Sequence, residues 1–315
     1  MKNLANIRRG CYRSSVKIQN ETEKAKDLKL GVIYALLAYL GWGFFPIYWK
    51  FLKHVPSVEI LCHRVLWAFV FYTILIYIKN KSVVPYWPKE WKKFVSLLAG
   101  AAILMGNWFV YIYAVNSNQI VESSLGYFIN PLVNIAIGVF FLKETLSLPQ
   151  RIATGLATVG VLIISFDQGH LPWIALFLAI SFSIYGLIKK LNPVSGLESN
   201  QFESLALVPF ALALLSVQGR WFGVEPFPLN DSTTTTTALL LVGAGVITGL
   251  PLIFFAEAAQ RMPFYLLGFF QFIAPSLQFM TGVFLFSEVM TPLKLVGFLF
   301  IWAAGGLIIA KPRRT

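Results

Sequence analysis

Residues 30–51, LGVIYALLAYLGWGFFPIYWKF, contain a single charged side chain, Lys50. A helix rises about 1.5 Å per residue, so a stretch of this length crosses the roughly 30 Å hydrocarbon layer of a bilayer. Apolar stretches of roughly 20 residues, each long enough to span a bilayer as a helix, recur about ten times up to Ala310. This pattern is typical of an all-α polytopic membrane protein.

The composition agrees with a membrane location. Hydrophobic residues make up 57% of the 315 residues and charged residues 13%, whereas a soluble domain carries about 25% charged residues. No polar stretch after residue 30 is long enough to build a soluble core, so we expect one membrane domain. The two cysteines, Cys11 and Cys62, indicate neither a disulfide framework nor a metal cluster.

The sequence predicts ten transmembrane helices. The expected spans are 30–51, 58–78, 94–115, 120–142, 147–166, 172–190, 200–217, 235–258, 264–287 and 292–310. Residues 1–29 form a basic, disordered tail, residues 30–166 and 167–310 hold five spans each, and residues 311–315 close the chain. The tail could contact anionic lipid headgroups, or translation could start further along the chain.

Charge placement predicts the orientation. Of the 26 lysines and arginines, 21 fall on the side of the two termini, four on the other side, and Arg64 lies within a span. Because positive loops stay in the cytoplasm, we expect both termini there. The excess charge is spread over short loops, which argues against nucleic-acid binding.

An internal repeat relates the two halves. Residues 128–144 match residues 272–288 at seven of 17 positions without a gap, which places Pro131 on Pro275 and Glu144 on Glu288. Five spans per half force the second half into the membrane upside down. The resulting 5+5 inverted repeat is the architecture of many secondary transporters, which expose a central site to each face in turn.

Several motifs resemble those of the RarD branch of the EamA family, in the drug/metabolite transporter superfamily. They cover residues 38–43, 48–50, 59–64, 107–108, 114–116, 124–132 and 267–275, and the resemblance extends over roughly residues 28–310. It implies a ten-helix bundle in the bacterial inner membrane, with a central cavity lined mainly by spans one, three, four, six, eight and nine. It also implies small-molecule transport, usually export, although the family label of chloramphenicol sensitivity defines no substrate. The long tail before Leu28 departs from the usual short start.

Two prolines, Pro131 and Pro275, are the candidate helix breaks. Each removes a helix hydrogen bond inside a span, and matched breaks in two halves point to a transport site near the midplane. The alternative is a pair of fixed kinks that only shape the bundle, because neighbouring groups can satisfy the freed backbone.

Polar and aromatic side chains near these prolines are the substrate-binding candidates. The amides Asn130 and Gln271 could hold a solute, or they could bond neighbouring helices together. Aromatic walls suit small-molecule pockets, although some of these rings could instead face lipid. The complete set of binding candidates is Trp42, Asn107, Trp108, Tyr111, Tyr127, Asn130 and Gln271.

Four ionisable residues are candidates for coupling or gating. Glu59 and His63 lie four residues apart on one helix face, with Arg64 beside them, and a histidine can exchange a proton near physiological pH. The structural alternative is a closed cluster of ion pairs that fixes the helix end. Glu122, at the start of span four, is a candidate cation or proton site.

Three other glutamates are expected to have structural positions. Glu257 is expected to pair with Arg261, and Glu144 and Glu288 are expected to lie at helix ends.

The sequence predicts a carrier, with no catalytic residue, cofactor or metal. No metal-ligand spacing, phosphate loop or nucleotide motif is present, so transport would draw on a gradient or an exchanged solute. The expected partners are a small-molecule solute, membrane lipids and protons as a candidate coupling ion; the oligomeric state is left open. An exporter of drug-like or hydrophobic metabolites is the first hypothesis, and an exporter of amino acids or similar polar metabolites the second. A membrane-embedded enzyme using Glu59 with His63, or Glu122, is the alternative from another class.

Overall fold

The computed structural model describes residues 23, 25–81, 84–116, 120–166, 173–222, 232–285 and 291–310. Within these ranges the chain consists of helices and short connections, and no strand is present. Residues 1–22 and 24 of the predicted disordered tail lie outside them, whereas residues 25–29 belong to the first helix, so the expectation of disorder is wrong for that segment. The helical class predicted from the apolar stretches is confirmed.

The helices follow the predicted spans in order. Their bounds are α1 (25–43), α2 (Phe45–Phe51), α3 (Ser57–Asn80), α4 (Trp91–Asn116), α5 (Ile120–Phe140), α6 (Leu148–Phe166), α7 (Trp173–Leu191), α8 (Gly196–Phe222), α9 (Ser232–Arg261), α10 (Phe264–Gln271), α11 (Ile273–Met280), one π-helical turn (Thr281–Leu285) and α12 (Pro292–Ala310). Eight helical segments in the described ranges are long and apolar enough to cross a membrane, and residues Leu125–Phe140 and Leu295–Leu307 form two shorter apolar helices.

Large apolar side chains are exposed on the outside of the bundle, as a lipid environment requires. Ile74 is 51% exposed, Phe109 52% and Leu212 53%. In water such surfaces would cost free energy in proportion to their area. The described part of the chain is therefore a multi-span membrane protein.

The first span is divided where a proline removes a backbone donor. Helix α1 ends in a turn at Phe44, and Pro46 stands in the first turn of α2. Pro46 cannot donate to the carbonyl of Trp42, four residues earlier. That carbonyl instead accepts a hydrogen bond of 3.0 Å from Gln278 Nε2 of α11, so the break is stabilised by the other half of the chain.

The main helix contacts join the two halves. Helix α3 packs on α8 and α9, α5 on α7 and α10, and α6 on α12. One cluster of buried apolar side chains draws on α1, α4, α5, α7, α9 and α10.

The charge distribution makes a topological prediction. With Cys11 and Cys62 replaced by serine, a cysteine at the exposed position Lys53, between α2 and α3, should react with a membrane-impermeant maleimide applied to intact cells. A cysteine at exposed Lys92, at the start of α4, should react only after permeabilisation. Labelling of both positions in intact cells would contradict the predicted orientation.

Candidate functional site

Arg64 of α3 lies in an aromatic enclosure. The guanidinium carbon is 5.0 Å from the ring centre of Trp49 in α2 and 5.0 Å from that of Trp108 in α4. The Nε atom donates a hydrogen bond of 2.9 Å to Thr248 Oγ1 in α9. Cation–π contacts of this kind are favourable, and they gain strength when the cation is shielded from water.

Two tyrosines lie next to these contacts. Tyr111 follows Trp108 by three residues in α4, and its ring centre is 6.2 Å from that of Tyr127 in α5. We call Trp49, Arg64, Trp108, Tyr111, Tyr127 and Thr248 the arginine cluster. Its members come from five helices, so it lies inside the bundle.

The arginine cluster is not tightly packed. Arg64, Trp49, Trp108 and Tyr111 are only half-buried, and Tyr127 is 38% exposed. The cluster combines a cation, aromatic surface and hydroxyl groups, which is the composition of a small-molecule site.

The amides predicted to bind solute bond to one another. Gln271 Nε2 of α10 donates to Asn130 Oδ1 of α5, and Asn134 Nδ2 donates to Gln271 Oε1 at 2.5 Å. Asn130 Nδ2 donates to the Ala179 carbonyl at 2.6 Å and to Ser183 Oγ at 2.8 Å, both in α7. We call Asn130, Asn134 and Gln271 the amide network. It joins three helices, which is the structural alternative raised from the sequence.

Asn107 and Trp42 lie apart from Arg64's immediate contacts. Asn107 Nδ2 of α4 donates to the Leu178 carbonyl at 3.0 Å and to Ser181 Oγ at 2.8 Å. Trp42 packs on aromatic rings of α1, α7 and α9, with Phe182 and Phe255 at centroid distances of 5.7 and 5.6 Å. Their binding roles remain predictions.

The prolines do not form matched breaks. Pro131 lies inside an uninterrupted α5, whereas the ninth span is divided at Phe272, three residues before Pro275. The expectation of a break at Pro131 is therefore wrong. Helix α10 packs tightly here, since a Cβ added to Gly268 would lie 2.7 Å from the Pro131 carbonyl oxygen.

Glu59 and His63 pair as predicted, but Arg64 does not join them. His63 Nε2 is 4.0 Å from Glu59 Oε1, and Trp67 Nε1 donates to His63 Nδ1 at 3.1 Å. An indole nitrogen can only donate, so Nδ1 carries no proton and the proton of neutral His63 lies on Nε2, towards Glu59. The side chain of Arg64 instead contacts the other members of the arginine cluster.

Sequence reasoning missed a buried ion pair. Lys189 was counted among loop charges, yet it is 1% exposed and its Nζ lies 2.7 Å from Glu203 Oε1 of α8. The ammonium also bonds to Ser199 Oγ at 2.9 Å and Asn200 Oδ1 at 2.6 Å, and the Tyr185 hydroxyl donates to Glu203 Oε2 at 3.0 Å. Lys189 and Lys190 stand together at the end of α7, a pattern that is typical of a cytoplasmic loop. Glu203, a carboxylate inside predicted span seven, was the sequence feature that could have indicated the pair.

Glu144 and Glu257 each cap the N-terminus of a helix that lies far from them in the sequence. Glu144 accepts hydrogen bonds of 2.8 Å from the backbone of Phe264 and of Tyr265, in the first turn of α10. Glu257 accepts one of 2.6 Å from Gly196 at the start of α8, and it pairs with Arg261 as predicted. Negative charge at a helix N-terminus is favourable. The side chain of Glu122, and Glu288 as a whole, lie outside the described residues.

No group of three or more His, Cys, Asp or Glu side chains in the described residues could hold a metal ion. The donors around the arginine cluster are a guanidinium, indoles and hydroxyls, which suit an organic solute better than a metal.

The amide network makes a stability prediction. Gln271→Leu should lower the free energy of unfolding by about 2 to 6 kcal/mol, because it leaves two buried amides short of a partner at about 1 to 3 kcal/mol each. The matched control is Gln278→Leu, which removes one bond to a carbonyl at a half-buried position and should have a smaller effect. Unfolding by SDS titration in mixed micelles would measure both. Equal losses in the two variants would contradict the importance of the network.

Comparison with known proteins places the chain in a family. Residues 29–166 match the EamA-like transporter family. "Uncharacterized transporter YojE" of Bacillus subtilis is 39% identical over 287 residues, covering 88% of this chain and 93% of the relative. The chain belongs to the EamA-like transporter family. This confirms the family inferred from the sequence motifs.

Further relatives agree with this assignment. "Protein RarD" of Escherichia coli is 40% identical over 296 residues, covering 90% of this chain and 95% of the relative. "Chloramphenicol-sensitive protein RarD" of Pseudomonas aeruginosa is 28% identical over 284 residues, covering 87% and 91%. A protein of known crystal structure shares the fold at a TM-score of 0.70 and 16% identity, covering 90% of this chain and 99% of that one. The protein is therefore a membrane transporter of this family with RarD relatives in several bacteria.

Proposed function

We propose that the protein is a secondary transporter that exports small drug-like or hydrophobic metabolites across the bacterial inner membrane by alternating access. The observation that carries this proposal is the arginine cluster, a partly open group of aromatic and polar side chains enclosed by five helices. Aromatic surface with a few placed polar groups is the usual lining of a site for a small organic molecule.

The helix packing supports alternating access. Under the predicted 5+5 repeat, α3 corresponds to α8, α5 to α10 with α11, and α6 to α12, and each of these pairs is in contact. Such contacts are expected when two inverted halves meet along a pseudo-twofold axis. Two halves related in this way can exchange conformations and so expose one site to each face.

The geometry gives less support to the alternatives. For an enzyme, His63 would have to exchange a proton through Nε2 alone, because the indole of Trp67 occupies Nδ1. Among the described residues, Glu59 is the carboxylate within ion-pair distance of its ring. Export of amino acids differs from the first hypothesis only in the solute that is carried.

Purified protein in liposomes tests the proposal. Flux of solutes from a panel of aromatic metabolites and chloramphenicol would be measured with and without an imposed proton gradient. Saturable flux above that of protein-free liposomes is the expected result. Conversion of a solute into product without flux would favour the enzyme, and absence of flux for the whole panel would contradict the proposal.

A further inference from the structure

The charge of Arg64 has no compensating carboxylate in the described part of the chain. The ion pairs there involve Glu59 with His63, Glu90 with Lys93, Glu203 with Lys189, and Arg261 with Asp27 and Glu257. Charges inside a membrane protein are costly, and they usually pair with one another or mark a solute pathway. Arg64 is thus a cation held in the bundle by rings and one hydroxyl.

The guanidinium keeps donors available. Only Nε is bonded within the described residues, to Thr248. The guanidinium carbon lies 5.0 Å from the ring centres of both Trp49 and Trp108, and no described residue accepts a hydrogen bond from the remaining N–H groups. A guanidinium presents its N–H groups as a planar fork, which matches the two oxygens of a carboxylate.

We propose that the arginine cluster binds the carboxylate of an amphipathic organic anion, with the guanidinium of Arg64 holding the charged end and the aromatic rings holding the apolar body. The inference rests on the proposed transport function and names its substrate class. It changes the role expected from the sequence, which placed Arg64 among the candidates for coupling or gating. In the structure its guanidinium lies beside two aromatic rings.

The enclosure favours a small solute over a lipid headgroup. The cluster is bounded by α2, α3, α4, α5 and α9, and two of its rings flank the guanidinium within 5.0 Å. A two-chain lipid could enter only by separating these helices. A flat monocarboxylate needs space only for one ring and one carboxylate.

Matched probes test the charge requirement. Tritiated 3-phenylpropanoate and its neutral amide have nearly the same size, and phenylalanine adds an ammonium group. Equilibrium binding in detergent and flux in phosphatidylcholine liposomes would be measured for each. We expect the carboxylate to bind at least about tenfold more tightly than the amide, as a charge-assisted hydrogen-bonded pair allows.

Variants assign this preference to Arg64. Arg64→Gln should lose at least about tenfold in affinity for 3-phenylpropanoate and leave amide binding unchanged, and Arg64→Lys should lie between. Arg151→Gln removes an exposed arginine at the start of α6 and is the control for net charge. Retained amide binding and an unchanged melting temperature show that Arg64→Gln is folded.

Several outcomes would overturn the inference while leaving transport intact. Equal binding of carboxylate and amide would remove the charge requirement, and recovery of Arg64→Gln by Glu122→Gln would show an internal ion pair instead. If phosphatidylglycerol competes with 3-phenylpropanoate for binding, the guanidinium of Arg64 binds a lipid headgroup instead of a solute. Flux of the amide with no preference for the carboxylate rejects only the substrate class, whereas no flux of any solute contradicts the carrier itself.

Discussion

Replacing Lys189 with methionine is expected to lower the free energy of unfolding by about 3 to 5 kcal/mol. The variant leaves the carboxylate of Glu203 buried at 2% exposure without its cation, and it removes donors to Ser199 and Asn200. An unpaired buried charge costs far more than the pair itself contributes. SDS titration in mixed micelles would give the free energy.

A double variant separates the pair from its surroundings. Lys189→Met with Glu203→Leu removes both charges, so it should be less destabilised than the sum of the single variants. Lys79→Met, at an exposed position at the end of α3, should change stability by no more than about 0.5 kcal/mol. Additive losses would contradict the coupling between Lys189 and Glu203.

The class of fold follows from the sequence because the bilayer leaves few alternatives. Apolar stretches of bilayer length must form helices that satisfy their own backbone, so the helical class could be predicted. The effect of individual prolines could not. Pro46 coincides with a break near Phe44, whereas Pro131 sits in a continuous helix, so a proline in the sequence does not by itself show where a helix ends.

Part of the candidate site could also be predicted from the sequence. Glu59 and His63 are one turn apart and face the same way, while Arg64, at about 100° per residue, points roughly 140° away from Glu59. Helical geometry alone therefore separates Arg64 from the pair. Its contacts with Trp49 and Thr248 could not be predicted, since they join distant segments whose relative positions only the packed bundle defines.

The roles of the amides depended on the same packing. Asn130 and Gln271 stand 141 residues apart in the chain, and either could face solute or a neighbouring helix. In the structure each bonds to the other, and Asn134 extends the pair. The polar residues near the two prolines thus hold helices together, while the accessible polar group, Arg64, lies in a span without an internal proline.

Gly245→Ala is expected to disrupt the bundle at the contact between α3 and α9. A Cβ at this position would lie 2.3 Å from the backbone carbonyl carbon of Trp67 and 2.6 Å from the Ala68 nitrogen. Backbone atoms cannot rotate away, so the two helices must separate. Close helix packing in membranes depends on small residues at such points. We expect a loss of about 3 kcal/mol or more, at the upper end of overpacking costs.

The same variant should impair solute binding, because α3 carries Arg64 and α9 carries Thr248, three residues after Gly245. Separation of the helices would lengthen the 2.9 Å hydrogen bond that fixes the guanidinium. Gly155→Ala is the matched control, since no atom lies within 4 Å of its added Cβ. Melting temperature and equilibrium binding of 3-phenylpropanoate would be measured for both variants. Wild-type stability in Gly245→Ala would show that α3 and α9 do not require this close approach, and reduced stability with unchanged binding would show that Thr248 does not position Arg64.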